Sequence, residues 1–178
     1  MTYFEVIPLK HFIEKKPDQN INEVLSGFSC SKDTSVQNYL RKIAIKHETS
    51  RISRTYLIFD SDPKKRLVAY ITIAIRCLNL GDEQCDVTLL DEMNVNGGIA
   101  QSYLVGQLGK IDGYDKKVGE FAMDFALDLI EEASQIVGCR AVRLDCRDDL
   151  LKYYQRKGFR LLNRNNEKDL NRMVMILT

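Results

Sequence analysis

The stretch VGEFAMDFALDLIEEASQIVG, residues 118–138, limits the fold more than any other part of the chain. Phe121, Ala122, Phe125, Leu129 and Ala133 recur at helical spacing, which predicts a long helix with one apolar side and Gly138 as its C-terminal cap. Runs of strand character flank it, QSYLVGQLGKI before and RAVRLDC after. A helix between two strands makes them parallel neighbours in a right-handed crossover.

The remaining segments favour hairpins. RTYLIFD and RLVAYITIAIRCL are rich in β-branched and aromatic residues around the turn DSDPKK, and FRLLNR and NRMVMILT form a closing pair. TYFEVIPL alternates as a first strand, and a helix begins at Pro17 and runs through PDQNINEVLSGF. SKDTSVQNYLRKIAIKHETSR predicts a second helix, capped by Asp33 or Thr34, with Val36, Tyr39, Leu40, Ile43 and Ala44 on one face. Residues 79–100 read as a polar excursion with an apolar patch at Val87–Leu90, and RDDLLKYYQRKG as a helix stopped by Gly158. The order is strand, two helices, three strands, helix, strand, helix, two strands. It predicts one α/β domain over residues 1–178, a central mixed and mostly antiparallel sheet flanked by helices, with one parallel βαβ crossover. A single crossover excludes a doubly wound nucleotide fold.

Composition narrows the function. The chain of 178 residues is 44% hydrophobic and 29% charged, and no apolar run is long enough to span a bilayer. MTYFEVIPLK has no basic leader followed by an apolar core, so a cytoplasmic protein without membrane contact is expected. Five cysteines without a C-x-x-C pair and two histidines argue against a disulfide framework or a metal site. The net charge of +1 hides eight Lys or Arg against three Asp between Arg140 and Arg164, and a second basic set in YLRKIAIKHETSRISR. Such sets attract anions locally, although most of these positions fit a solvated helix face as well.

Two stretches carry chemistry. In GQLGKIDGYDKKVGEF a strand ends, a loop with Lys116 and Lys117 follows, and Gly119 stands where the long helix begins. Unpaired amides at a helix start, with lysines alongside, suit a pyrophosphate, and glycine permits close approach. An ordinary βα turn has the same appearance. In DLLKYYQRKGF a tyrosine pair precedes the helix stop: one ring packs, or one hydroxyl serves a site.

The segment Ser102–Leu162 resembles the acyl-CoA-binding core of the GNAT-type N-acetyltransferases, in which a strand and a Q/R-x-x-G-x-G/A loop open a long helix and a later helix ends in Tyr-x-x-x-Gly-Phe. Here that ending is Tyr154 to Phe159; in the loop, Lys117 takes the first glycine position and Tyr114 the Gln/Arg position. Upstream, FSCSKDTSVQNYLRKIA and the hairpin around Ala69-Tyr70 resemble a subgroup that includes toxins acetylating aminoacyl-tRNA. The resemblance implies a GNAT fold and acetyl transfer from acetyl-CoA to a primary amine. It implies cofactor contacts at Leu108, Lys110, Lys116, Lys117, Val118 and Gly119, Tyr154 as the acid for the leaving thiolate, and the main-chain N–H near Leu108 as donor to the thioester oxygen. Tyr153, about 100° round the helix, then packs. Asp145 either takes a proton from the substrate ammonium through water or caps the helix at Asp148, and Cys146 is structural. The near-neutral charge puts a small-molecule or protein amine ahead of an aminoacyl-tRNA. A CoA-binding regulator without turnover and a nucleotide-binding regulator are the rival classes, a homodimer is a further expectation, and an antitoxin is the partner implied for a toxin.

Overall fold

The computed structural model describes residues 4–15, 21–61, 65–80, 87–165 and 169–178. The helix start at Pro17, the middle of the DSDPKK turn and Cys85 lie outside the described residues. The elements run β1 (Phe4–Pro8), α1 (Leu9–Lys15), α2 (Ile21–Ser26), α3 (Thr34–Lys42), α4 (Ala44–Thr49), β2 (Arg54–Asp60), β3 (Leu67–Asn79), α5 (Val87–Glu92), β4 (Ile99–Lys110), α6 (Val118–Ile136), β5 (Ala141–Cys146), α7 (Leu151–Arg156), β6 (Arg160–Asn165) and β7 (Leu170–Ile176). The seven strands form one sheet in the order β1-β2-β3-β4-β5-β7-β6, in which β4 and β5 pair in parallel. The predicted crossover through α6 is therefore present, and no described helix is long and apolar enough to cross a membrane.

The backbone divides into two compact units, residues 1–74 with 107–128 and residues 75–106 with 129–178; β3, β4 and α6 run through both. In the first unit, β1, β2 and β3 form antiparallel ladders with Phe4 opposite Asp60 and Arg54 opposite Ile73. Leu9, Leu25, Phe28, Leu40, Tyr70 and Val118 fill its core with almost no exposure. In the second unit, β4 joins β5 at Tyr103↔Val142 and Leu104↔Arg143, whereas β5 pairs with β7 over six residues, from Ala141↔Ile176 to Cys146↔Asn171. Its core, Leu78, Leu89, Met93, Ala141, Leu162 and Val174, is closed partly by α5.

Four local features depart from the sequence reading. Leu9 leaves the first strand and begins α1, where Leu9 and Phe12 are buried one turn apart. The second predicted helix is two helices: Ile43, at φ −118° and ψ −36°, interrupts it and is 38% exposed, while Val36, Leu40 and Ala44 keep the inward face. Asp33 is the cap, its carboxylate accepting from Ser35 N at 3.0 Å and Val36 N at 3.3 Å. The excursion contains α5, which hides Leu89.

The fourth departure concerns helix ends. α6 stops at Ile136, and Gly138 is absent from the glycines of positive φ, so it makes no left-handed cap. Gly158 does: at φ +93° it lets its own N–H donate to Gln155 O and Phe159 N–H to Tyr154 O, closing α7.

Candidate functional site

In the first unit the candidate groups lie in one stretch, from Leu108 at the end of β4 to Gly119 in the first turn of α6. Its loop is built by long-range hydrogen bonds: Ile111 N–H donates to Val68 O, and Asp112 N–H to Ser29 O, each at 2.9 Å. The Asp112 carboxylate accepts from both Ser31 N and Ser31 Oγ at 3.0 Å, and these bonds hold its ionisation below the usual carboxylate value. Asp60, 7% exposed, accepts from Tyr114 Oη at 2.7 Å and Lys116 Nζ at 3.0 Å. Burial, and then the Asp60 carboxylate, hold the Tyr114 phenol protonated well above its ordinary value.

These bonds sort the lysines. Lys116 has its counterion, whereas Lys110 and Lys117 are exposed and make no ion pair among the described residues. Val118 is fully buried and its N–H is turned to Lys116 O at 2.8 Å, so it contributes neither side chain nor amide to an incoming anion. Gly119 is different. A Cβ built on it would meet nothing within 4 Å, and no intramolecular bond of its N–H is found among the described residues. The first turn of α6 thus offers an amide, open space and the positive end of a 19-residue helix. Those are the requirements of a pyrophosphate.

In the second unit, Tyr154 lies in α7 at 7% exposure, edge-on to Tyr153 at 5.0 Å and to Phe159 at 5.9 Å. Burial first, then Tyr153 and Cys146, push its phenol above the ordinary value, so it keeps its proton through the neutral range. Cys146 is 4% exposed, within 3.4 Å of Met173 Sδ, and its thiol is pushed up to about 11 by burial, which makes it a poor nucleophile. Asp145 points to the other face of the sheet. Its Oδ1 is 3.9 Å from Arg172 Nε, its cross-strand partner, and Arg143 is nearby. It does not cap the following turn: Asp148–Leu150 is a 3-10 turn with Arg147 in the cap position. The turn is tied down by Asp148 Oδ1, which accepts from Arg164 Nη1 at 2.9 Å and Asn171 Nδ2 at 2.6 Å.

Solved structures share this architecture. AtaT complexed with acetyl-methionyl-tRNAfMet superposes with a TM-score of 0.72 at 16% identity, over 99% of this chain and 95% of that one. The chain has the GNAT fold. A tyrosine-to-phenylalanine mutant of KacT gives 0.72 at 18% identity over 98% and 94%, and AtaTR bound with AcCoA gives 0.67 at 18% over 98% and 92%. No family model matches the sequence, and no curated protein matches it.

Within the GNAT fold several structural residues escaped the sequence reading. Asp60 ends the apolar run LIF, which hints at a buried charge, but nothing local indicates partners 54 and 56 residues away. The basic sets are more neutralised than their spacing suggests: Arg160 pairs with Glu92, Arg164 with Asp148 and Asp169, and Arg147 with Asp149. Arg54 pairs with Glu48, and Arg41 Nε donates to Phe28 O at 2.9 Å.

The buried phenols give a pH test of the fold. Burial raises the values of Tyr70 and Tyr154 above the ordinary phenol, while the unfolded chain ionises near about 10. The unfolded state therefore loses its protons first, so stability should be level below about pH 10 and fall above it, toward the folded values. Urea unfolding between pH 8 and 11.5 reads the slope, which a Tyr70→Phe exchange should reduce. A level profile to pH 11.5 would show that these phenols ionise in place.

Proposed function

We propose that the protein is an acetyl-CoA-dependent N-acetyltransferase that moves the acetyl group to a primary amine by direct attack. The reading is carried by the likeness of the whole chain to structures of this fold, one of them bound with AcCoA. The open first turn of α6 supports it, because Gly119 offers an amide and room for phosphate oxygens, with Lys110 and Lys117 as unneutralised cations. In this reading acetyl-CoA brings the activated acyl group. The N–H near Leu108 donates to the thioester oxygen as negative charge develops there. Tyr154 supplies the proton for the leaving thiolate, which its buried phenol retains at neutral pH. Asp145, held by Arg172 on the other sheet face from Cys146, serves the amine only through water.

For the acceptor, an aminoacyl-tRNA now comes ahead of a small amine, since AtaT with acetyl-methionyl-tRNAfMet has the same fold over nearly its whole length. The protein is then a toxin, and an antitoxin is its partner, as AtaR is of AtaT. Expression in bacteria with and without Tyr154→Phe tests this: arrest that the exchange abolishes supports the toxin, and harmless expression of an active enzyme returns the acceptor to small amines or protein amines.

Gly119→Val tests the cofactor contact. The fold has room for the side chain, so melting should hardly change, while acetyl-CoA binding by calorimetry should weaken about tenfold or more, or ~1.4 kcal/mol. Lys116→Ala should cost less, its charge being already spent on Asp60. Unchanged affinity in the valine variant would place the phosphates elsewhere.

A further inference from the structure

The second unit contains a cavity of about 560 Å³ that the acetyl-transfer reading does not use. It lies where β4 and β5 begin, lined by Asn94, Asn96, Ile99 and Gln101 together with Cys139 and Arg140. Tyr154 follows the opposite end of β5, about 20 Å of strand away at ~3.3 Å per residue. The volume is in the range of binding clefts.

The wall is preformed. Asn96 and Ile99 exchange both main-chain hydrogen bonds at 2.9 and 3.0 Å, Gly97 and Gly98 turn between them at φ +57° and +76°, and Leu80 N–H holds Gly98 O at 2.8 Å. Gln101 is engaged, its Nε2 donating to Cys77 Sγ at 3.4 Å, but three polar side chains of the lining are uncommitted. Among the described residues none of Asn94, Asn96 and Arg140 makes a side-chain hydrogen bond or ion pair, although Arg140 is fixed through its carbonyl, which accepts from Leu177 N–H at 2.8 Å. Beside the cavity stands exposed apolar surface: Ile99 at 46%, Ile136 at 84% and Val137 at 57%.

From this combination we infer that the cleft docks an extended, acidic peptide segment of a partner protein. Carboxamides match both the N–H and the C=O of a peptide backbone, the guanidinium takes a carboxylate in bidentate fashion, and the aliphatic rim receives alternate apolar side chains. Arg140 is the one cation among the described residues that line the cleft, too few for nucleic acid, whose affinity rests on several phosphate contacts. The inference does not depend on the acetyl-transfer reading.

The test is fluorescence anisotropy of the full chain with a labelled heptapeptide alternating leucine and glutamate, and with its leucine–lysine counterpart. Saturable binding of the glutamate peptide is expected, weakened about tenfold or more by Arg140→Glu and restored in part by Arg140→Lys, with the lysine peptide at least about tenfold weaker. Tyr154→Phe should leave binding unchanged, which separates this cleft from the site of chemistry. Equal affinity in Arg140→Glu, or no saturation up to about millimolar peptide, overturns the proposal. So does a dimer in sedimentation equilibrium that Ile136→Lys dissociates, because the surface would then belong to a second copy of the chain.

Discussion

Replacing Tyr154 by phenylalanine should lower turnover by roughly 10²-fold or more and leave acetyl-CoA affinity nearly unchanged, as expected when a proton donor is lost and its ring is kept. The ring contacts with Tyr153 and Phe159 need no hydroxyl, so the variant should fold and melt like the parent. Tyr153→Phe is the control. Its hydroxyl oxygen is buried too, so exclusion from water does not distinguish the two phenols, and kinetics must. A loss confined to Tyr154 assigns the acid. Equal losses would show that α7 presents both hydroxyls to the reaction, and no loss in either leaves protonation of the thiolate to water.

The contrast between the two tyrosines shows which parts of this protein a sequence exposes. The crossover was legible because Phe121, Ala122 and Phe125 mark a helical face and the flanking runs are rich in strand formers; β4 and β5 are parallel as that pattern requires. The helix stop at Gly158 was legible because a left-handed residue favours glycine. Gly138 misled for the same reason: a glycine near a helix end attracts the same inference without the backbone having adopted it. Ile43 misled because periodicity through it is unbroken, while the turn between α3 and α4 turns it outward.

The candidate site was legible only as residue types at junctions. Gly119 could be identified as a helix start, but Lys116 could not be known as neutralised, since its counterion Asp60 ends β2, 56 residues earlier. Asp145 and Cys146, adjacent in sequence, face opposite sides of the sheet, and their different surroundings, Arg172 for one and Met173 for the other, come from pairing with β7. Local pattern indicates which side chains alternate. Long-range register decides what each of them meets.

That dependence on distant neighbours is sharpest at Gly109, where even a methyl group should be costly. A Cβ there would stand 2.5 Å from Tyr70 Cε1 and 2.7 Å from Val36 Cγ1, both far inside van der Waals contact. The ring of Tyr70 has no room to retreat. Tyr70 is fully buried, its hydroxyl donates to Val36 O at 2.6 Å, and its ring is held edge-on to Phe28 at 5.3 Å and stacked on Tyr39 at 6.5 Å. Overpacking of a fixed core commonly costs about 1–3 kcal/mol, and with the Tyr70 ring anchored Gly109→Ala belongs at the upper end, a fall in melting temperature of roughly 6–10 °C. Adding Val36→Ala removes one of the two clashes and should return part of the loss, which a non-additive double-mutant cycle would record. The position adjoins Leu108, so the same crowding that makes glycine necessary also fixes the end of β4 on which the proposed oxyanion donor depends. A Gly109→Ala variant that melts with the parent would mean that the ring of Tyr70 yields, and that β4 is held there by its ladder alone.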